Sequence, residues 1–163
     1  QTIAMAKKAR ELASAGHDVV NLTLGEPDFD TPEHIKQAGI KAITDNFSHY
    51  TPVAGIPELR KGIAEKLKRD NNIDWKPENI IVSTGAKQAL ANAISVLVNP
   101  GDEVIIYSPY WVSYADLVKL NEGEVVELVG KIENDFKPSI QDLKNAITDR
   151  TKVIMFSSPC NPT

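Results

Sequence analysis

Ile80-Ile81-Val82-Ser83-Thr84-Gly85-Ala86-Lys87 and, one helix later, Glu103-Val104-Ile105-Ile106-Tyr107-Ser108-Pro109-Tyr110-Trp111 decide the reading of the fold. Each opens on a short apolar run and ends in a loop of small, polar or aromatic residues, the mark of a buried strand feeding a turn. Between them Leu90, Ala93, Ile94 and Leu97 recur at helical spacing over Lys87 to Val98, and Asn99-Pro100-Gly101-Asp102 stops that helix. Strand, helix, strand is the repeating unit of a parallel sheet.

The pattern continues downstream. Tyr114, Leu117 and Val118 predict a helix ended by Gly123, and Val125 to Val129 a third strand. Ser139 caps a further helix with Asp142 three residues on and Leu143, Ala146 and Ile147 inward; Val153 to Phe156 is a fourth strand. The expected fold is α/β, a mainly parallel sheet with right-handed crossovers and helices on both faces. Upstream the chain is helical. Pro57 opens a helix with Leu59, Ile63 and Leu67 on one side, and Asn46 to Gly55 is loop. Thr31-Pro32-Glu33 reads as a helix start with Thr31 as cap, followed by an apolar stripe of Ile35, Ala38, Ala42 and Ile43. Before it, Gly25-Glu26-Pro27-Asp28 interrupts an extended Val19-Val20-Asn21-Leu22, and a first helix carries Ile3, Ala6, Ala9, Arg10 and Ala13, with Gly16 at its left-handed exit.

Composition narrows the function classes. The 163 residues are 42% hydrophobic and 25% charged, ordinary for a globular protein, and the net charge of -4 argues against a nucleic-acid partner. A single cysteine, Cys160, permits neither an internal disulfide nor a cysteine metal site, and a reducing, cytoplasmic setting is the default. No apolar run approaches the roughly 20 residues of a membrane helix. The chain starts at Gln1 without an initiator Met or signal pattern and stops at Thr163 in a loop, so both ends read as cut.

In such sheets ligands sit at the carboxyl ends of the strands, which directs attention to three loops. In Thr84-Gly85-Ala86-Lys87, small residues let backbone approach a ligand, and the helix start favours a phosphate; the alternative is a plain tight turn. The spacing matches neither a P-loop nor a dinucleotide loop. Trp111 offers an indole face to a flat heteroaromatic ring, or is simply a core aromatic. Asn161 has an amide that could donate to a ring oxygen, or serves the turn that Asn-Pro favours. The Tyr50 hydroxyl could reach an anion, or packs half-buried. His17, His34 and His49 have no metal or triad spacing, no metal site is expected, and Cys160 reads as an inert small residue.

Taken together, the segments Leu22-Thr23-Leu24-Gly25-Glu26-Pro27-Asp28-Phe29, His49-Tyr50-Thr51-Pro52-Val53-Ala54-Gly55-Ile56-Pro57-Glu58-Leu59-Arg60, Gly85-Ala86-Lys87-Gln88-Ala89-Leu90, Asn99-Pro100-Gly101-Asp102-Glu103-Val104, Ser108-Pro109-Tyr110-Trp111-Val112-Ser113-Tyr114 and Ser158-Pro159-Cys160-Asn161-Pro162-Thr163 resemble the class I/II aminotransferases, in particular the bacterial aspartate aminotransferase branch. The resemblance implies fold type I and the cofactor pyridoxal 5'-phosphate (PLP). Gly85, Ala86 and Lys87 would hold its phosphate, Trp111 would stack on the pyridine ring, and Asn161 would bond the phenolic oxygen. Tyr50 would reach the phosphate of the neighbour in a homodimer. Gly25 would lie beside the substrate α-carboxylate, with Trp111, Asn161 and the Lys87 side chain also on the substrate side, Lys87 near a distal carboxylate.

The same resemblance divides the chain into 1–30, contributing to a small domain, and 31–163, the first part of the PLP-binding domain. It implies transamination between an amino acid, aspartate first or another acidic or aromatic one, and a 2-oxo acid such as 2-oxoglutarate. The Schiff-base lysine, the Asp on the pyridine nitrogen and the substrate arginines belong downstream of the Asn-Pro loop in the family. No catalytic residue is therefore expected within 1–163, which alone would be inactive. Alternatives on the same scaffold are a carbon-sulfur lyase or a non-enzymatic domain of a transcription regulator. The family topology is further expected to set other strands between the first and fourth strands here, and between the fourth and second, so that these residues alone would not make a stable domain.

Overall fold

The computed structural model describes residues 2–22 and 25–161. Thr23, Leu24, Pro162 and Thr163, each part of a segment quoted above, lie outside them. The chain divides into two compact units, Gln1–Tyr50 and Thr51–Thr163.

The first unit holds α1 (Thr2–Ser14) and α2 (Glu33–Thr44). Gly16 leaves α1 at φ +85, the left-handed exit its sequence position predicts. Helix α2 begins one residue later than expected. Pro32, not Thr31, occupies the cap position at φ -53 and ψ 140, and no side chain caps the helix. The Pro32 carbonyl accepts from the Ile35 and Lys36 N–H groups at 3.0 and 3.1 Å, so the start is held through backbone alone. The apolar stripe of α2 finds no cover: Ile35 and Ile43 are 52% and 80% exposed, and no residue of the helix is buried.

The second unit opens with α3 (Pro57–Asn71), with Pro57 at its first position and Asn72 in the left-handed conformation at its end. Then α4 (Gly85–Leu97), β1 (Glu103–Ser108), α5 (Ser113–Leu120), β2 (Glu124–Val129), α6 (Ile140–Ala146) and β3 (Thr151–Met155) follow in the expected alternation. The sheet has the order β2-β1-β3 and both pairings are parallel. The fold class is therefore as read from the sequence.

Two expectations are corrected. Ile80-Ile81-Val82 is extended but pairs with no strand among the described residues. Its backbone bonds go elsewhere: the Arg60 Nε donates to the Ile80 carbonyl at 3.0 Å, and the Val82 N–H donates to the Ala54 carbonyl at 3.0 Å. An apolar run becomes a strand only where another backbone lies alongside; here a guanidinium and a loop meet those groups first, and Ile81 is exposed. The second correction concerns strand order. The expected fourth strand, β3, pairs directly with the expected second, β1, through Val104↔Val153, Ile105↔Ile154 and Ile106↔Met155, leaving no gap for another strand between them.

The core lies on one face of β1. Val104 and Ile106 pack with Ile94 and Val98 from α4, Tyr114 and Val118 from α5, and Met155 from β3. Ile105 points to the other face and is also fully buried, as expected of a central parallel strand covered on both sides. Ala93 and Leu97, expected inward on α4, are exposed instead, and Ile94 carries that contact. Glu122 at φ 58, rather than Gly123, takes the left-handed position after α5. Gly123 is required for closeness: a Cβ there would stand 2.6 Å from Val98 Cγ1 and 2.9 Å from Val118 Cγ1. The capping box on α6 forms as predicted, with the Asp142 N–H donating to Ser139 Oγ at 3.0 Å and the Ser139 N–H returning to Asp142 Oδ2 at 3.1 Å.

Candidate functional site

The carboxyl ends of β1 and β3 lie side by side, because the two strands are parallel neighbours. The loop after β1 runs Pro109-Tyr110-Trp111-Val112 into α5, and the loop after β3 runs through Pro159-Cys160-Asn161. The Cys160 thiol donates to the Pro109 carbonyl at 3.3 Å and ties the two loops together, and Tyr107 stacks with Phe156 at 5.7 Å just below. A cavity of about 540 Å³ opens here, lined in part by Ser108, Pro109, Phe136, Phe156, Ser158 and Cys160. Asn161 follows directly and is exposed.

The amino end of α4 meets the loop after β1 through Lys87 and Trp111. Gly85 starts the helix at φ +81, with open space where a Cβ would stand. That conformation disfavours any other residue, and the space admits an incoming group close to backbone. No side chain caps α4 and its first turn carries no acid, whereas α2, α3, α5 and α6 each place a carboxylate there. The Thr84 N–H donates to Gln88 Oε1 and the Gly85 N–H to the Ser83 carbonyl, so the positive end beyond them, at Ala86 and Lys87, has no carboxylate of its own helix to offset it. Lys87, in that first turn, sets its Nζ 5.1 Å from the centroid of the Trp111 ring. The Tyr114 ring meets Trp111 edge-on at 5.8 Å, and the Tyr114 N–H donates to the Trp111 carbonyl at 2.9 Å. Burial, with Glu127 and Asp116 nearby, raises the Tyr110 phenol above its ordinary value, so it stays neutral at physiological pH.

Of the predicted site residues, Gly85, Ala86, Lys87, Trp111 and Asn161 belong to the second unit, and Lys87 and Trp111 are in contact. Gly25 and Tyr50 belong to the first unit, and Tyr50 is fully exposed. Tyr114, read from the sequence only as a core residue, also packs against Trp111. Its place three residues after Trp111 was the available signal, since a helix starting there brings the two rings together.

A helix start with no acid in its first turn, beside an indole face, fits a flat ring bearing a phosphate. The chain belongs to the class I and II aminotransferases. That family's sequence profile matches residues 17–163. The aspartate aminotransferase of Bacillus subtilis is 52% identical over 99% of this chain and 41% of its own length. The aspartate/prephenate aminotransferase of Cereibacter sphaeroides is 52% identical over 100% of this chain and 41% of its own. Among solved structures, the aspartate aminotransferase from Thermus thermophilus with maleate superposes with a TM-score of 0.95 at 49% identity, covering 99% of this chain and 42% of that one. The Rhizobium meliloti aspartate aminotransferase gives 0.94 at 42% identity, covering 100% and 41%. The chain thus spans about two fifths of the length of the relatives it matches. Among the described residues, no helix is long and apolar enough to cross a membrane.

Proposed function

We propose that the protein is a PLP-dependent aminotransferase that moves an amino group between an amino acid, aspartate first, and a 2-oxo acid such as 2-oxoglutarate. The observation that carries this reading is the uncapped, acid-free start of α4 beside Trp111, in a chain whose family and relatives are aminotransferases. The same relatives include proteins named for prephenate, which keeps that substrate within the reading.

The residues divide the work. The N–H groups of Ala86 and Lys87 at the start of α4 would bind the phosphate, and Gly85, whose own N–H donates to the Ser83 carbonyl, would let it come close to backbone. Trp111 would orient the pyridine ring by stacking and exclude water from one face. Asn161 would donate to the ring's phenolic oxygen and hold it as the charged form. Gly25 leaves room for a substrate α-carboxylate, and Tyr50 serves the phosphate of the partner in a homodimer. Residues 31–163 begin the cofactor domain and 1–30 contribute to a smaller one. The bound cofactor supplies an electron sink for the α-carbon, and the protein supplies binding, orientation and electrostatics.

The test is to follow oxaloacetate and glutamate from aspartate and 2-oxoglutarate with the protein and PLP. Product formation that requires both the amino donor and the oxo-acid acceptor is expected. Oxo acid released without an acceptor would favour a lyase, and tight DNA binding at moderate salt without turnover would favour a regulator. Residues 1–163 by themselves are proposed to be inactive, because none of their lysines stands in the family's Schiff-base context.

A further inference from the structure

Lysine in the first turn of a helix is the wrong charge for that end, where the backbone N–H groups already make a positive pole. The helices α2, α3, α5 and α6 obey the rule with Glu33, Glu58, Asp116 and Asp142, and α4 breaks it with Lys87. The Lys87 ammonium has no carboxylate within ion-pairing distance among the described residues; its neighbour is the Trp111 ring, 5.1 Å away. A cation over an indole face is attracted by the ring's negative quadrupole, and Trp is the strongest partner for it. Tyr114, only 9% exposed and fixed in the core, holds the same indole from its edge.

We propose that Lys87 is a positioning residue for Trp111: the ammonium on the ring and Tyr114 at its edge fix the indole's orientation for stacking on the cofactor. This rests on the aminotransferase reading for its purpose, though not for the contact itself. Helix α4 and the loop after β1 are separate segments, and Lys87–Trp111 is a side-chain tie between them at the site. A locked rotamer keeps a stacking platform from having to be ordered when the ring arrives. It also gives the ammonium a partner where the helix alone disfavours it.

The experiment uses the full protein with Lys87→Met, Lys87→Arg, Trp111→Leu and the double variant Lys87→Met with Trp111→Leu. The near-ultraviolet circular dichroism lost on Trp111→Leu is the signal of Trp111. In PLP-free protein that signal is expected to fall by about half in Lys87→Met, and to survive in Lys87→Arg, which keeps a cation that stacks on aromatic faces. PLP affinity is expected to drop about threefold to fivefold in Lys87→Met and less than twofold in Lys87→Arg. In the Trp111→Leu background, Lys87→Met should cost nothing further. An unchanged Trp111 signal in Lys87→Met overturns the proposal whether or not PLP binds. An equal loss of affinity in both backgrounds also overturns it, because Lys87 would then act on the phosphate directly. A parent protein that binds no PLP fails the aminotransferase reading instead, and the dichroism alone then decides the contact.

Discussion

At the scale of single residues, Glu103 is the buried carboxylate of the second unit, 5% exposed at the start of β1. It accepts from Thr148 Oγ1 at 2.6 Å, Arg150 Nη2 at 2.5 Å and Thr151 Oγ1 at 3.4 Å, and so ties β1 to the turn leading into β3. The Thr148 hydroxyl first, then Arg150 and Thr151, hold its carboxyl below the ordinary value of 4.5 against the opposing effect of burial. A carboxylate depressed in the folded state binds fewer protons there than in the unfolded chain. Its contribution is therefore complete above the ordinary carboxylate range and fades as the pH falls below about 4.5 through the depressed value. Urea midpoints of the protein and of Glu103→Gln should differ most at neutral pH and draw together as the pH falls below about 4.5. Parallel lines across that range would show that Glu103 carries no acid-linked stability. The Lys87–Trp111 contact joins two residues that the sequence offered separately, each in a short motif whose spacing survives without the fold. The role of Tyr114 was less legible, since a tyrosine on an apolar helix stripe looks the same whether or not it also meets a neighbouring indole.

At the scale of elements, two glycines set how closely neighbours pack, and they should respond differently. At Gly123 a Cβ would meet the ends of Val98 and Val118, side chains that shift; at Gly130 it would stand 2.0 Å from the Phe136 carbonyl oxygen, which is backbone. Gly123→Ala is expected to destabilise by about 1–3 kcal/mol, the usual range for overpacking, and Gly130→Ala by more, with the 131–136 loop displaced. Equal denaturant midpoints for the two variants would contradict this. Ser139→Ala should cost about 1 kcal/mol by opening the capping box on α6. The same scale shows what the sequence made plain and what it did not. The α6 box and the Pro57 start lie within four residues of chain, and both form as read. Ile80-Ile81-Val82 has the composition of a strand, yet strandhood depends on a neighbour, and its neighbours are Arg60 and Ala54. The direct β1–β3 pairing was likewise hidden, because strand order is a property of the assembled sheet and not of any segment.

At the scale of the whole molecule, buried apolar side chains are concentrated around β1, and much apolar surface lies open. In the first unit Ala6 is the one buried hydrophobic residue among the described side chains, while the α2 stripe is exposed. In the second, β3 is an edge strand of the sheet, and Ile154 and Phe156 on and just after it are 42% and 62% exposed. Unpaired edges and uncovered apolar faces of this extent are normally closed by further structure. A core of this size must also offset the entropy of ordering every residue around it. Residues 1–163 prepared as a separate polypeptide are therefore expected to bind an apolar dye such as ANS and to unfold over a broad temperature range. They should lack the equality of calorimetric and van't Hoff enthalpies that marks a two-state domain. A sharp two-state melt with no dye binding would overturn that expectation. It would mean that the β2-β1-β3 sheet and its helices close their own core, and that the exposed stripe of α2 costs the fold little.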